Sequence, residues 1–190
     1  MSQHIPSYIQ ASLPDLVTIL YLDLKPFTLG HYLLMLRHRC AFVDTTNNLG
    51  CNIEELTKQL ILGLSICHRT HDEFNEWIYS EGWKQWLEEY GNIVREQSEK
   101  DKSFNILEKI LMFRNYIEEG MKFPEATSPK GSGKTFTHWT STVMDTMISK
   151  CGYTEKQILN EVPLRKVLYH FFKYLESNGV LKIAPEELCH

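Results

Sequence analysis

Apolar residues recur at steps of three and four along most of the chain, and this spacing predicts amphipathic helices. The strongest pattern occupies residues 26–43, where the Thr28 hydroxyl is suited to accept from the free N–H groups of a first helical turn. The apolar positions that then share one face are Leu29, Tyr32, Leu33 and Leu36. Nothing in this stretch is arranged for bond-breaking chemistry, so we interpret it as a packing nucleus.

A second helix is predicted after the turn-forming segment Asp44–Gly50. Asn52 would cap it, with Glu55 at the third helical position in an arrangement that resembles a capping box. From Leu60 to Cys67 the sequence is apolar on nearly every side, which is typical of a helix that is buried all round. We therefore expect this to be the central helix.

Further helices are predicted between residues 70 and 120. Thr70 and Glu73 have capping-box spacing and would start one helix. Ser103 is expected to cap another, which would end near Gly120. Between them, the charge-rich residues 81–102 are expected to form a solvated helix face.

The sequence pattern of the last third of the chain predicts a separate helical unit. Residues 121–134 have the proline, glycine and serine content of a flexible connector, so we divide the chain into an N-terminal helical body, 1–120, and a C-terminal unit, 135–190. In that unit Thr154 and Gln157 form another capping box, and Asn178-Gly179 would end the last helix. One apolar stripe comprises Phe136, Trp139, Val143, Met147 and Cys151.

The expected fold class is all-α, a bundle of about six to eight helices. A short helix is predicted from Pro14 through Leu16, Ile19 and Leu20. Val180–Ile183 is the only strand that the pattern favours, and it is too short to form the basis of a sheet.

Composition and net charge argue against several classes of function. The net charge of −4 argues against general nucleic-acid binding, and no apolar run approaches the roughly 20 residues of a membrane helix. Residues 1–10 have neither the basic nor the apolar region of a signal peptide. An odd number of cysteines, five, favours free thiols in a reducing cytoplasm.

Residues 131–135 have the sequence Gly-Ser-Gly-Lys-Thr, which invites comparison with a phosphate-binding loop. That loop requires a glycine where this chain has Ser128, and it follows a strand, whereas a helix is predicted here. Its backbone amides would have no reason to converge on a phosphate. A flexible linker is the better interpretation, and no cofactor is expected.

Zinc could in principle be bound by Cys40, Cys51, Cys67 and His71. Structural zinc favours closely spaced pairs of ligands, and only Cys67 and His71 are close in sequence. The simpler interpretation is that Cys67 packs as a small apolar residue. The other histidines stand singly and are expected to be satisfied interior or surface residues: His31, His38, His68, His138 and His170.

The aromatic residues indicate a different role. Trp77, Trp83, Trp86 and Tyr90 fall within two short predicted helices, which is more large aromatic surface than one core stripe requires. An excess of this kind is typical of proteins that bind a helix in a groove. The predicted partner-binding residues are Trp77, Trp83, Trp86, Trp139, Val143 and Met147.

Two regions, covering about half of the chain, also resemble a known family. One begins with the six residues Pro26–His31, continues through an Asn/Gly-rich break, and ends in Cys67-His68-Arg69. The other contains Gly152-Tyr153-Thr154-Glu155 and then Pro163-Leu164. Both are similar to segments of the tail-assembly chaperones of tailed phages, which are small, mostly helical proteins encoded upstream of the tape-measure gene.

This resemblance implies a non-catalytic protein of the host-cell cytoplasm that binds the apolar helices of a tape-measure protein during tail assembly. A structural subunit of the virion, such as a tail or connector component, is the alternative among binding proteins. A small enzyme that uses the Cys and His residues is the third hypothesis. A groove that stays exposed could also be filled by a second copy, in a homo-oligomer.

Overall fold

The computed structural model describes residues 17–44, 52–127 and 139–183, and these confirm an all-α fold. Eight α-helices lie in the described residues: α1 Leu29–Arg37, α2 Ile53–Cys67, α3 His71–Ile78, α4 Gly82–Lys100, α5 Ile106–Gly120, α6 Trp139–Cys151, α7 Glu155–Asn160 and α8 Leu164–Ser177. None of these helices combines the length and the apolar character that crossing a membrane requires.

Four of the helices begin at residues that the sequence identified as caps. Thr28, Thr70 and Thr154 each form a complete capping box, and the Asn52 side chain accepts from the N–H groups of Glu54 and Glu55. Each cap satisfies N–H groups that have no partner within the helix. These starts are therefore fixed by local chemistry.

The cap predicted at Ser103 is wrong. Asn105 caps α5, because its side chain accepts from the N–H of Leu107. The Ser103 hydroxyl instead donates to Asp101 over 2.6 Å, which stabilises the turn between α4 and α5. The carboxylate two residues earlier thus competes with the helix for this hydroxyl.

A short hairpin replaces part of the predicted N-terminal helix. Strand β1, Val17–Ile19, pairs antiparallel with β2, Leu22–Leu24, and the turn residues Leu20 and Tyr21 have φ of 49° and 66°. Positive φ at both central positions is the geometry of a two-residue hairpin turn. The helix prediction is thus wrong at Ile19 and Leu20, whereas Pro14 and Leu16 lie outside the described residues.

A second strand pair involves the predicted connector. Ala126–Thr127, β3, pairs antiparallel with Lys182–Ile183, β4, which lies within the one predicted strand. The ring of Phe123 also lies 5.8 Å from that of Trp139 and 6.0 Å from that of Phe172. The connector residues 121–127 therefore contact the C-terminal helices, and residues 128–134 lie outside the described part of the chain.

Helix α2 is central, as the sequence predicted. Leu60, Leu64, Ile66 and Cys67 are completely buried, and α2 contacts α1, α3, α4 and α5. Its Gly63 lies against the ring of Phe113 in α5. By contrast, α4 has only Tyr90 and Val94 fully buried, in agreement with the predicted solvated face.

The C-terminal unit packs directly on the N-terminal body. The Leu164 N–H donates to the Phe27 carbonyl over 2.7 Å, and the Thr28 hydroxyl donates to the Leu159 carbonyl over 2.7 Å. These bonds join the start of α1 to the end of α7 and the start of α8.

Candidate functional site

The side chain of His31, three residues after Thr28, is fully buried beside this junction. Its Nδ1 accepts from the Thr28 N–H over 3.1 Å, so the ring hydrogen lies on Nε2, which donates to the Arg69 carbonyl over 2.6 Å. Burial lowers the pKa of His31 to about 4. The ring is therefore neutral at physiological pH and links α1 to the segment between α2 and α3, as expected of a satisfied interior histidine.

An aromatic cluster, here called the tryptophan cluster, connects α3 to α4. Trp77 lies edge-on to Trp86 with their ring centroids 5.4 Å apart, and Trp86 stacks on Tyr90 at 4.9 Å. The Arg69 guanidinium carbon lies 3.9 Å from the centroid of Trp77 and 5.1 Å from that of Trp86. Phe74 adjoins Trp77 from the core.

These contacts make the tryptophan cluster a structural element of the body. Arg69 donates to the Ser65 carbonyl, so its guanidinium is anchored at the end of α2 while it covers both indole rings. Trp77 and Trp86 are half-buried and pack on the core. The ring faces of these two predicted partner-binding residues are thus largely occupied by contacts within the chain.

Trp83 differs from the other tryptophans of the predicted surface. It is half-buried, but it does not belong to the hydrophobic core cluster or to the side chains packed against it. Its one described ring contact is with the ammonium of the adjacent Lys84, 5.7 Å from the ring centroid. Trp83 is therefore the indole on α4 with the most surface left for a partner.

The other three predicted residues lie on α6. Trp139 is half-buried and its ring lies 5.1 Å from that of Tyr32. Val143 and Met147 have relative exposures of 2% and 0% and belong to the core. A partner could reach these two side chains only if α6 separated from the helices that cover it.

An open groove lies between α2 and α4, with a volume of about 430 Å³. Its floor is apolar, formed by Ile61 and Leu62 of α2 and by Leu87 of α4, with Gly91 opposite Ile61. A Cβ on Gly91 would come no closer than 3.9 Å to a neighbour, the Ile61 Cδ1 atom. The absence of a side chain at Gly91 therefore leaves the middle of the groove open.

Polar residues line the rim of this α2–α4 groove: Lys58, Glu88, Asn92 and Arg95. Lys58 forms exposed ion pairs with Glu54 and Glu55 of its own helix, at 3.1 and 3.7 Å. Within the described residues, no carboxylate lies within ion-pair distance of Arg95, and no cation lies within ion-pair distance of Glu88. The groove thus has an apolar floor and a charged rim.

The thiols in the described residues are poor nucleophiles. Cys40 and Cys67 are completely buried, which raises the pKa of Cys40 to about 12 and raises that of Cys67 as well. Burial also raises the pKa of Cys151, which is half-buried. A high pKa keeps a thiol protonated, and the thiolate is the reactive form.

No group of three or more metal-ligating side chains occurs in the described ranges, 17–44, 52–127 and 139–183. Of the four zinc ligands considered from sequence, Cys51 lies outside those ranges, as does the Gly131–Thr135 segment. His71 contacts Asp72 at 3.0 Å and lies beside Asn75 at the start of α3. Asp72 in turn is held by Asn160 of α7, so this polar group joins two helices.

Comparison of the chain with protein-family models, with curated proteins and with solved structures finds no match.

Sequence reasoning missed the α2–α4 groove, although it predicted the helix that begins after Asn52 and a solvated helix face over residues 81–102. A groove depends on how two helices pack, and periodicity within each helix does not contain that information. One local signal was available: Gly91 stands in the middle of a long helix, where glycine is unfavourable relative to alanine. Of the predicted surface residues, Trp86 directly precedes Leu87 of the groove and Trp83 lies four positions before it.

Proposed function

We propose that this chain is a non-catalytic protein-binding protein of the tail-assembly chaperone type, which holds an apolar helix of a tape-measure protein. The observation that carries the proposal is the α2–α4 groove, an open depression with an apolar floor on the helical body. One face of a helix offers apolar side chains at regular intervals, and such a face fits a groove between two helices.

The resemblance to phage tail-assembly chaperones supplies the class of partner. Of the residues that carry it, Thr28 and Pro163 lie at the junction of α1, α7 and α8, and the groove is lined by other residues. The resemblance to the chaperone family therefore concerns the packed helical body, whereas the groove is what supports the binding role.

The test is co-expression of the chain with segments of the tape-measure protein from the same phage genome. The wild-type chain should raise the solubility of a segment and elute with it as a complex in size-exclusion chromatography. Gly91→Leu should weaken the complex by about tenfold or more, because the new side chain fills the groove.

The matched control is Gly82→Leu, which adds the same side chain to the same helix at a position with no neighbour within 4 Å and outside the groove. This variant should bind as the wild type does. If the wild-type chain leaves every segment insoluble, the chaperone proposal fails. If the protein is found in purified virions, the structural-subunit alternative replaces it.

A further inference from the structure

We infer that the α2–α4 groove binds an amphipathic helix in one fixed direction, with an acidic end of that helix placed between Lys58 and Arg95. This inference rests on the proposed function and adds the charge pattern and orientation of the partner.

The two helices that form the groove are antiparallel. Arg69, just after α2, reaches Trp86 near the start of α4, whereas Ile61 in the middle of α2 lies opposite Gly91 in the middle of α4. Residues earlier in α2 are therefore opposite residues later in α4. Lys58 precedes Ile61 by three positions and Arg95 follows Gly91 by four, so both cations lie at the same end of the groove.

The opposite end of the groove has an acidic and an aromatic side chain nearby. Glu88 lines the rim there, about two helical turns before Arg95, and Trp83 lies a further turn toward the start of α4. Trp83, Leu87, Gly91 and Arg95 are spaced by four residues and form one ridge of α4. From Trp83 to Arg95 this ridge extends about 18 Å, which is the length of about three turns of a partner helix.

The charged rim gives the groove a direction. Along the lined part of the groove, a partner carboxylate would meet Lys58 and Arg95 at one end and Glu88 at the other. Lys84 lies beyond the lined part, with its ammonium over the Trp83 ring. Lys58 is shared with Glu54 and Glu55, but ion pairs between exposed side chains on one helix contribute little to stability, so Lys58 is free to turn toward a partner carboxylate. Arg95 is the stronger determinant, because no described carboxylate lies within ion-pair distance of it.

The apolar floor of the groove determines which apolar side chains of the partner helix fit. Gly91 leaves room for one large apolar side chain of the partner, and Trp83 offers an aromatic surface beyond Leu87. The occupant is therefore a helix of about three turns with an apolar stripe and an acidic residue in one terminal turn.

The experiment uses synthetic helical peptides that share one leucine stripe. Each peptide carries either glutamate or lysine in one terminal turn, and both versions are made with the charged residue near the N-terminus and near the C-terminus. Binding to the full chain is measured by fluorescence anisotropy at low and high salt. A glutamate peptide should bind about two- to fivefold more tightly than its lysine counterpart, and high salt should reduce the difference.

Three variants test the assignment. Arg95→Gln should remove the preference, and Arg95→Glu should reverse it in favour of the lysine peptide. Arg114→Glu makes the same charge change on an exposed site of α5 outside the groove and should leave the preference unchanged. Far-UV circular dichroism establishes that each variant is folded.

The outcomes separate this inference from the proposed function. If the peptides bind and Gly91→Leu blocks them, but no charge preference appears, the direction is wrong and the groove proposal stands. If no peptide binds, or if Gly91→Leu has no effect on binding, both are overturned. If Gly91→Leu instead dissociates a homo-oligomer of the wild-type chain, the occupant is a second copy and the inferred partner is wrong.

Discussion

Gly30 in α1 and Leu159 in α7 approach so closely that a Cβ on Gly30 would lie 2.2 Å from the Leu159 carbonyl oxygen. The same atom would lie 2.6 Å from the Cβ of His71 at the start of α3. Both neighbours are rigid, because one is backbone and the other is the first atom of a side chain. Only a hydrogen fits at this position, where α1, α3 and α7 meet.

Gly30→Ala should therefore destabilise the protein by about 2 kcal/mol or more, since the helices must separate to admit the methyl group. The measurement is the free energy of unfolding in urea. Gly91→Ala is the matched control, because its methyl group fits and alanine favours the helix; it should stabilise the protein by about 0.5–1 kcal/mol. Equal effects of the two substitutions would contradict the close approach.

The hydroxyl of Thr28 has two roles at the same junction. It accepts from the His31 N–H as a helix cap and donates to the Leu159 carbonyl, and the residue is 1% exposed. Thr28→Val preserves the shape but removes both hydrogen bonds, so it should lower the free energy of unfolding by about 2 kcal/mol. Thr28→Ser keeps the hydroxyl and should cost about 1 kcal/mol or less. A serine variant as unstable as the valine variant would show that packing, and not hydrogen bonding, dominates.

His31 should make stability depend on pH. Its pKa of about 4 in the folded protein lies below the value of about 6.5 in an unfolded chain, so the unfolded state binds more protons between these values. The free energy of unfolding should then fall as the pH falls from about 6.5 to 4, by about 3 kcal/mol from this group.

The test compares urea unfolding of the wild type and of His31→Gln across pH 4–7. Burial also lowers the pKa values of His38 and His170, but both remain in the variant, so the difference in slope isolates His31. The variant should lose less stability on acidification than the wild type. Parallel pH profiles would mean that His31 titrates normally in the folded state.

Thiol reactivity distinguishes the binding proposal from the Cys/His enzyme hypothesis. Cys40 and Cys67 should react with iodoacetamide only when the protein unfolds, because both thiols are buried and have raised pKa values. Cys151, which is half-buried, should react first of these three. Peptide mapping by mass spectrometry assigns each site, and fast modification of Cys67 in the native protein would reopen the enzyme hypothesis.

The features that sequence predicted well are those fixed within a few residues. The boxes at Thr70 and Thr154 require only a hydroxyl and a partner side chain three positions later, so the spacing alone locates them. The hairpin at residues 17–24 was missed because each strand has three residues and the turn is Leu20-Tyr21, with none of the usual Asn or Gly. Its stability comes from distant contacts, including the Tyr90 hydroxyl that donates to the Leu20 carbonyl.

The candidate site was predictable only in part, for a related reason. Periodicity placed Trp139, Val143 and Met147 on one stripe, but it could not show that Val143 and Met147 are covered by neighbouring helices. It also grouped Trp83 with Trp77 and Trp86, whereas the structure separates them by what they contact. Which face of a helix remains open is a property of tertiary packing.

Substitution of Trp83 and Trp139 should separate a binding surface from the core. Trp83→Ala should change the free energy of unfolding by about 1 kcal/mol or less, because Trp83 does not pack on the core cluster. Trp139→Ala should cost about 2 kcal/mol or more, since it removes contacts with the rings of Tyr32 and Phe123. Trp83→Ala should also weaken binding of the glutamate peptide, whereas Trp139→Ala should leave the affinity of the folded fraction unchanged. If Trp139→Ala abolishes binding without loss of stability, the partner surface lies on α6 and not along α4.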